Sequence, residues 1–242
     1  MIDVHCHLNE FTDFDRIAFF CEERGIKVIS MTNRPSEFNT IISQTKKYRF
    51  IRAALGLHPM EVPFTKQELN LFEKLKKETS YIGEIGLDFS RDFIHRKREQ
   101  LHVFDFILNS TRNEKKILSL HSRNAEKTVL ENLIRYNIKN AIFHWYSGPL
   151  GLIDEIQQNG YYFSINPRMT LSEKGKKIIE KISHDKILVE SDSPFIKING
   201  KPSDPSTVRI AYNYLAQIWN QDIKTVERKV NNNLKNILHD IR

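Results

Sequence analysis

The first ten residues, MIDVHCHLNE, place His5 and His7 one residue apart at the end of an apolar run. If this run is a β-strand, residues i and i+2 share a face, so both imidazoles can converge on one ion while Cys6 points to the other face. The pair is also compatible with a capping role or with coincidence. It therefore suggests a metal site, and that site needs further ligands elsewhere in the chain.

Other histidines and carboxylates occur at the ends of later apolar runs. They are His58 in GLHP, Glu84 and Asp88 in GEIGLDF, His121 in LHSR, His144 in FHWYSG and Asp192 in ESDSPF. Taken singly, each has a structural explanation, such as a core histidine bonded to backbone or a carboxylate that caps a helix. Together, a mixture of imidazole and carboxylate suits Zn²⁺, Mn²⁺ or a similar divalent ion, and the set is large enough for two ions.

The apolar runs that precede these residues recur eight times, and an amphipathic segment follows each one. The runs are IDVHCHL, KVISMT, FIRAALGLH, YIGEIGLDF, KILSLHS, NAIFHWY, YYFSIN and KILVESD. Their spacing of about 30 residues is that of a βα unit. In one helical segment, TKQELNLFEKLKKET, Thr65 with Glu68 three positions later predicts an N-cap in a capping box. The pattern predicts an α/β fold, a TIM-type (β/α)8 barrel that forms one domain over residues 1–242, with the polar residues on one rim.

Composition narrows the class of protein. The chain has 37 Lys and Arg against 30 Asp and Glu, a formal net charge of +7, which favours acidic partners such as nucleic acid. A solvated basic surface would give the same balance. Only two cysteines are present, Cys6 and Cys21, which excludes a disulfide framework and predicts a buried free thiol at Cys21. With no signal-peptide pattern and no apolar stretch of about 18 residues, the sequence predicts a cytoplasmic protein without a membrane partner.

These motifs together resemble the TatD-type metal-dependent hydrolases of the amidohydrolase-like barrel superfamily. The resemblance rests on DVHCHL, GLHP, IGEIGLDF, LSLHSR, FHWYSG and LVESDSPF, and NNNLKNIL is similar to the family's closing helix. The blocks span nearly the whole chain in the family's order. The resemblance implies a (β/α)8 barrel, two divalent metal ions (Mg²⁺, Mn²⁺ or Zn²⁺) and hydrolysis of phosphodiester bonds.

The resemblance also implies a role for each ligand. The implied ligands form two sets that share one carboxylate: His5 and His7 for the first ion, His121 and His144 for the second, and Glu84 between them. Asp192 would contact the first ion and the attacking water. A carboxylate in that position can take the proton of the water and return it to the leaving oxygen, so Asp192 and Glu84 are the expected catalytic residues.

Four residues near the predicted strand ends are expected to contact substrate. Arg123 can hold a phosphate bidentately, and His58 is either an orienting group or a structural hydrogen-bond partner. Trp145 and Tyr146 can stack on a terminal base or pack inside the barrel. These two aromatics stand where the family resembles FHCFSG, and Arg34 stands where a short residue is usual. The departures indicate a specialised substrate.

Family members are associated with DNA hydrolysis, often as 3′-to-5′ exonucleases on single strands, and the resemblance implies that activity here. One alternative is hydrolysis of an ester or amide bond, including removal of an amino acid from a charged RNA end. Another is a partner-dependent component of a bacterial anti-phage defence assembly, because family members are encoded in such gene clusters. The sequence lacks G-x-S-x-G, G-x-x-x-x-G-K-[ST] and H-E-x-x-H, which removes the serine hydrolase, P-loop and zincin interpretations.

Overall fold

The strands of the computed structural model, which describes residues 1–239 and 241, run parallel in chain order around a barrel. They are β1 (Ile2–Cys6), β2 (Lys27–Ser30), β3 (Ile51–Ala53), β4 (Leu55–Leu57), β5 (Tyr81–Gly86), β6 (Ile117–His121), β7 (Ala141–His144), β8 (Tyr162–Ile165) and β9 (Ile187–Val189). All eight predicted runs contain strand residues. The third run is divided at Ala54, because β3 pairs with β2 whereas β4 pairs with β5.

Hydrogen bonds just beyond the last strand close the barrel against the first strand. Asp192 N donates to His5 O at 2.9 Å, and His7 N donates to Ser193 O at 2.8 Å. Closure leaves no open sheet edge between β9 and β1. The predicted (β/α)8 architecture is therefore confirmed.

Helices follow the strands and cover the outside of the barrel. They are α1 (Phe14–Arg24), α2 (Pro35–Thr45), α3 (Lys66–Leu75), α4 (Lys97–Thr111), α5 (Glu126–Arg135), α6 (Leu152–Gln158), α7 (Pro167–Leu171), α8 (Glu173–Lys181), α9 (Val208–Ile218) and α10 (Ile223–His239). A short hairpin of β10 (Lys197–Ile198) and β11 (Lys201–Pro202) precedes α9. No helix among the described residues is long and apolar enough to cross a membrane.

The start of α3 shows how local sequence fixes a helix boundary. Thr65 Oγ1 accepts a hydrogen bond from Glu68 N at 3.3 Å, which confirms the predicted cap. The Glu68 carboxylate does not complete a capping box, since it accepts from Ser36 N at 3.1 Å and so ties α3 to α2. On the inner face of α3, Phe72 is fully buried, as its helical spacing predicts.

The interior combines apolar strand residues with a buried polar end. Every residue of β1 is buried, including Asp3 and His5, because its side chains face either the barrel interior or the surrounding helices. Cys6 and Cys21 are buried free thiols, as predicted for Cys21. Gly86 has φ of 134°, and a Cβ there would lie 2.0 Å from His121 O. Only glycine therefore allows β5 to approach β6 this closely at the polar end of the barrel.

Candidate metal centre

The histidines and carboxylates predicted at strand ends meet at one rim of the barrel. The rim cluster consists of His5, His7, His58, Glu84, His121, His144 and Asp192. Their side chains are between 0% and 16% exposed. Four of them lie within strands: His5 in β1, Glu84 in β5, His121 in β6 and His144 in β7. The other three follow a strand: His7 after β1, His58 after β4 and Asp192 after β9. Parallel strands in a closed barrel place their carboxyl ends on one face, which explains how positions so distant in sequence converge.

Glu84 lies at the centre of the rim cluster and divides its imidazoles into two groups. Glu84 Oε2 lies 3.4 Å from His5 Nε2 and 3.2 Å from His7 Nε2. Glu84 Oε1 faces the other three rings: His121 Nδ1 at 2.8 Å, His144 Nε2 at 3.1 Å and His58 Nε2 at 3.3 Å. Each oxygen of one carboxylate therefore faces a separate set of nitrogen atoms.

Asp192 lies on the same side of Glu84 as the first two histidines. Its Oδ1 is 3.8 Å from both His5 Nε2 and His7 Nε2. The two imidazole nitrogens are themselves only 3.2 Å apart. This side of the rim cluster thus offers two nitrogens and two carboxylates to a single point.

Polar groups outside the rim cluster orient two of the rings. His5 Nδ1 lies 2.8 Å from Ser119 Oγ, and His144 Nδ1 lies 3.4 Å from a Glu190 carboxylate oxygen. These contacts turn the Nε2 atoms of both rings toward Glu84. A partner on the outer nitrogen fixes the tautomer and the ring orientation of a histidine that binds metal.

His58 has the opposite arrangement. Its Nδ1 accepts a hydrogen bond from Met60 N at 3.2 Å, so in the neutral ring the proton lies on Nε2. That Nε2–H faces Glu84 Oε1 as a donor, and it has no lone pair to offer a metal ion. The geometry therefore favours a donor role for His58, in keeping with its exclusion from the expected ligands.

His121 lies between two carboxylates. Its Nδ1 faces Glu84, and its Nε2 is 2.8 Å from Asp88 Oδ2. Although burial raises the pKa of Asp88, hydrogen bonds from His121 and Ser90 outweigh it and lower that pKa to about 2. Gln100 also holds the Asp88 backbone on both sides, with bonds of 2.7 Å and 2.8 Å. Asp88 is thus an ionised, firmly held group that fixes the His121 ring.

Burial and neighbouring charge separate the pKa values in the rim cluster. Burial raises the pKa of Asp192 to about 7, against the opposing effect of His144 and His7. Burial and the nearby His144 lower the pKa of His5 to about 4. Although burial also disfavours charge on Glu84, the surrounding imidazoles hold its pKa well below the usual range. Before any ion binds, the cluster thus has an ionised carboxylate at its centre and a neutral imidazole at His5.

The chemistry of these donors fits divalent metal ions. Within each of two sets, the potential ligand atoms lie within 4.8 Å of one another: His5, His7 and Glu84; and His5, His144 and Asp192. His58, Glu84 and His121 form a third set with the same spacing, but the proton on His58 Nε2 removes that ring as a ligand. His7 Nδ1 is buried without a hydrogen-bond partner, which is unusual for a polar atom. Imidazole with carboxylate is a ligand set for Zn²⁺, Mn²⁺ and related ions.

Comparison with known proteins identifies the family of this chain. A model of the family described as TatD related DNase matches residues 2–239. The chain belongs to the TatD-related DNase family. It is a metal-dependent hydrolase of the deoxyribonuclease type, as the sequence resemblance implied.

Individual relatives of this TatD-family chain cover nearly its full length. The deoxyribonuclease TATDN3 of Homo sapiens is 26% identical over 247 residues, covering 93% of this chain and 90% of that protein. An uncharacterized metal-dependent hydrolase of Methanocaldococcus jannaschii is 28% identical over 235 residues, covering 93% and 92%. The crystal structure of the TatD homologue YJJV from Escherichia coli K12 has a TM-score of 0.87 at 24% identity, covering 96% of this chain and 95% of that chain. That likeness supports the barrel fold.

A cavity of about 380 Å³ opens beside the rim cluster of this TatD-family chain. It is lined by His121, Ser122, Arg123, His144, Trp145 and Ser147. Arg123 is exposed and Trp145 is half-buried, so both can reach a molecule in the cavity. The positions of these two residues are compatible with the predicted contacts to substrate.

The prediction that Tyr146 contacts substrate is wrong. Tyr146 is 1% exposed, its ring lies edge-on to Phe163 at 5.3 Å between centroids, and its hydroxyl donates to Pro149 O at 2.7 Å. The ring therefore belongs to the core. Arg34 is also less available than its position suggested, because it forms an ion pair with Glu61.

Sequence reasoning missed one buried carboxylate of this TatD-family site. Glu190 is 0% exposed, and it accepts hydrogen bonds from Trp145 N and Asn166 Nδ2, each at 3.0 Å, and from the Ser164 hydroxyl. The available signal was LVESD, where Glu190 stands two residues before Asp192 at the same strand end. Ser119, the partner of His5, carries no comparable signal.

Proposed function

We propose that this TatD-family hydrolase is an exonuclease that removes nucleotides from the 3′ end of single-stranded DNA. The observation that supports it best is the pair of Glu84 oxygens, each facing its own set of imidazoles beside a cavity of about 380 Å³. Small-ligand sites span about 300–1,000 Å³, so this cavity suits one nucleotide at a strand end better than a continuous duplex. The 3′ polarity and the preference for single strands come from the family resemblance.

Two divalent ions, Mg²⁺, Mn²⁺ or Zn²⁺, are proposed to bind the rim cluster. The proposed ligands are His5, His7, Glu84 and Asp192 for the first ion and Glu84, His121 and His144 for the second. When bound, such ions polarise a phosphate and make a water molecule acidic enough to attack near neutral pH. The two-sided contacts of Glu84 support a bridging role, since one carboxylate can neutralise part of the charge of two nearby cations.

The protein groups then have separate tasks. Asp192, whose Oδ1 lies 3.8 Å from both His5 Nε2 and His7 Nε2, accepts the proton of the attacking water and returns it to the leaving oxygen. His58 donates its Nε2–H to Glu84 Oε1 and so orients the central carboxylate. Arg123 neutralises a phosphate of the substrate, and Trp145 offers its ring to the base in the cavity. Each of these groups borders the rim cluster or the cavity.

DNA is the proposed substrate for two reasons. The human relative is named a deoxyribonuclease, and the chain has a net charge of +7, which favours a polyanion. Proteins that bind single strands combine cationic groups with aromatic rings that stack on bases. Arg123 and Trp145 provide one of each beside the rim cluster.

The decisive experiment is digestion of a short single-stranded DNA labelled at its 5′ end, with Mg²⁺ or Mn²⁺ and with a chelator control. The variant Glu84→Gln keeps the size of the side chain and removes the charge at the centre of the rim cluster. Glu173→Gln is the matched control, because Glu173 is 83% exposed on α8. A ladder of stepwise shortened products, absent with chelator and with Glu84→Gln but retained by Glu173→Gln, is expected.

Other outcomes would change the assignment. A single labelled mononucleotide from the 5′-labelled strand would reverse the polarity, and internal cuts would indicate an endonuclease. If metal binds but neither DNA nor RNA is cleaved, the proposal fails. Release of an amino acid from charged RNA would then favour ester hydrolysis.

A further inference from the structure

An exposed aromatic ring borders the rim cluster outside the lining of the cavity. Phe195 is 55% exposed, and its ring centroid lies 4.9 Å from that of His7 in an edge-to-face arrangement. Single exposed apolar side chains are common on protein surfaces. This ring is distinctive because it contacts a proposed ligand and leaves most of its surface free at the mouth of the site.

The backbone that carries Phe195 is firmly held. Phe195 N donates to Asp192 O at 3.0 Å, and Ser203 N donates to Ile196 O at 2.7 Å. The residues on either side of the Pro194–Phe195 pair, Ser193 and Ile196, are 0% and 2% exposed. The ring is therefore held by a well-ordered backbone. Stacking of a molecule on this ring costs the protein little conformational entropy.

A chain of ring contacts links Phe195 to a histidine that lines the cavity. The ring centroid of His7 lies 4.9 Å from that of Phe195, His5 lies 5.2 Å from His7, and His144 stacks on His5 at 3.8 Å. His144 and the next residue, Trp145, line the cavity, whereas Phe195 does not. The two accessible aromatic rings therefore adjoin different members of the rim cluster, Phe195 beside His7 and Trp145 next to His144.

This placement matches a nucleic acid held across the reaction centre. A phosphodiester bound at the rim cluster has one nucleotide on each side. The cavity beside Trp145 is partly enclosed and suits the terminal nucleotide that is released. Phe195, more open to solvent, suits the nucleotide that stays with the strand.

We infer that Phe195 is a nucleobase-binding residue, on which the base of the penultimate nucleotide stacks while the terminal nucleotide occupies the cavity beside Trp145. The inference rests on the proposed function and names a second subsite for it. Stacking of a base on an aromatic side chain is sequence-tolerant, because every base has a π face. The subsite would therefore hold the strand in register without selecting a sequence.

The first test compares removal of the terminal nucleotide from two single-stranded substrates under single-turnover conditions. One substrate has all its bases, and the other has an abasic analogue at the penultimate position. Phe195→Ala is expected to lower kcat/KM about 5- to 150-fold on the complete substrate, the range for losing one base–aromatic stack. The abasic substrate should be cut equally by wild type and Phe195→Ala. Phe195→Tyr, which keeps the ring, should restore the rate on the complete substrate.

Phe19→Ala is the matched control, since Phe19 is 60% exposed on α1. It should leave both rates unchanged. A loss with Phe195→Ala that is equally large on the abasic substrate would mean that the ring only supports His7, and it would overturn the inference. An unchanged rate with Phe195→Ala on the complete substrate would also overturn it.

A second readout needs no cleavage. A single-stranded DNA with 2-aminopurine at the penultimate position and a non-hydrolysable terminal linkage is mixed with protein in Mn²⁺, and its fluorescence is expected to fall as the base stacks. The quenching should be lost with Phe195→Ala and retained with Phe195→Tyr. If the wild type quenches this probe but cleaves no DNA with metal, the exonuclease proposal fails while the base subsite stands. If the wild type cleaves DNA without this quenching, the base subsite fails alone.

Discussion

Glu190 provides the most quantitative test of how the site is built. The buried carboxylate accepts hydrogen bonds from Trp145 N, Asn166 Nδ2 and the Ser164 hydroxyl, and it faces His144 Nδ1 at 3.4 Å. All of these partners are donors or can be donors. The variant Glu190→Gln keeps the volume but replaces one acceptor oxygen with an amide nitrogen.

Two losses follow from this change. A buried donor placed against another donor costs about 1–3 kcal/mol, so the free energy of unfolding should fall by about that amount. The neutral amide also orients His144 less firmly, and removing such a partner typically lowers metal affinity or activity about 10- to 100-fold. The charge of Glu190, together with that of Glu84, outweighs burial and holds the pKa of His144 well above its usual range. That pKa should therefore fall in the variant.

Urea denaturation in chelator measures the first loss, and calorimetric titration with Mn²⁺ or Zn²⁺ measures the second. Glu173→Gln serves again as the control, because its carboxylate is exposed and forms its ion pair with Lys176 on the same helix. Values for Glu190→Gln that equal those of the control in both assays would refute the role assigned to Glu190. A stability loss without an affinity loss would limit Glu190 to a structural role.

Three further outcomes are expected. Tyr146→Phe should lose the 2.7 Å hydrogen bond to Pro149 O and with it about 1 kcal/mol of the free energy of unfolding, while kcat/KM stays unchanged. Reduced turnover at full stability would contradict the placement of Tyr146 in the core. Gly86→Ala should lower the free energy of unfolding by about 2–4 kcal/mol in denaturant titration, because its Cβ would lie 2.0 Å from His121 O. Gly151→Ala has open space around the new Cβ and should be nearly neutral. Saturating Mn²⁺ at about 100 times its Kd should stabilise the chain by about 2.7 kcal/mol for each ion bound, an increase in Tm of about 5–10 °C per ion relative to chelator. An unchanged Tm in differential scanning calorimetry would argue against a metal site in the folded state.

The strand positions and the rim could be predicted because both depend on local pattern and on one topological rule. Apolar runs such as KILSLHS carry their own signal, and a closed parallel barrel brings their carboxyl ends together. His5 and Asp192 could therefore be placed in one site although they lie at opposite ends of the sequence. The division of the third strand at Ala54 could not be predicted, since it depends on which neighbours β3 and β4 pair with.

The misplaced and missed residues have specific physical reasons. Tyr146 follows Trp145, whose φ of 38° is in the left-handed region that only glycine, asparagine and aspartate adopt routinely. The alternation of side chains in a strand does not extend through such a turn, so the direction of the Tyr146 ring could not be inferred. Glu190 was missed because its partner His144 lies 46 residues earlier, and no short motif joins them.

The closure of the barrel between β9 and β1 has a consequence for biosynthesis. β1 is translated well before β9 (Ile187–Val189), so His5 is made long before its neighbour Asp192. A nascent chain that ends before β9 already has every histidine of the rim cluster, yet it lacks Asp192 and the strand that covers the free edge of β1. A product truncated before β9 would therefore carry most of the proposed ligands while lacking the proposed proton acceptor, so nuclease activity would require the strand that closes the barrel.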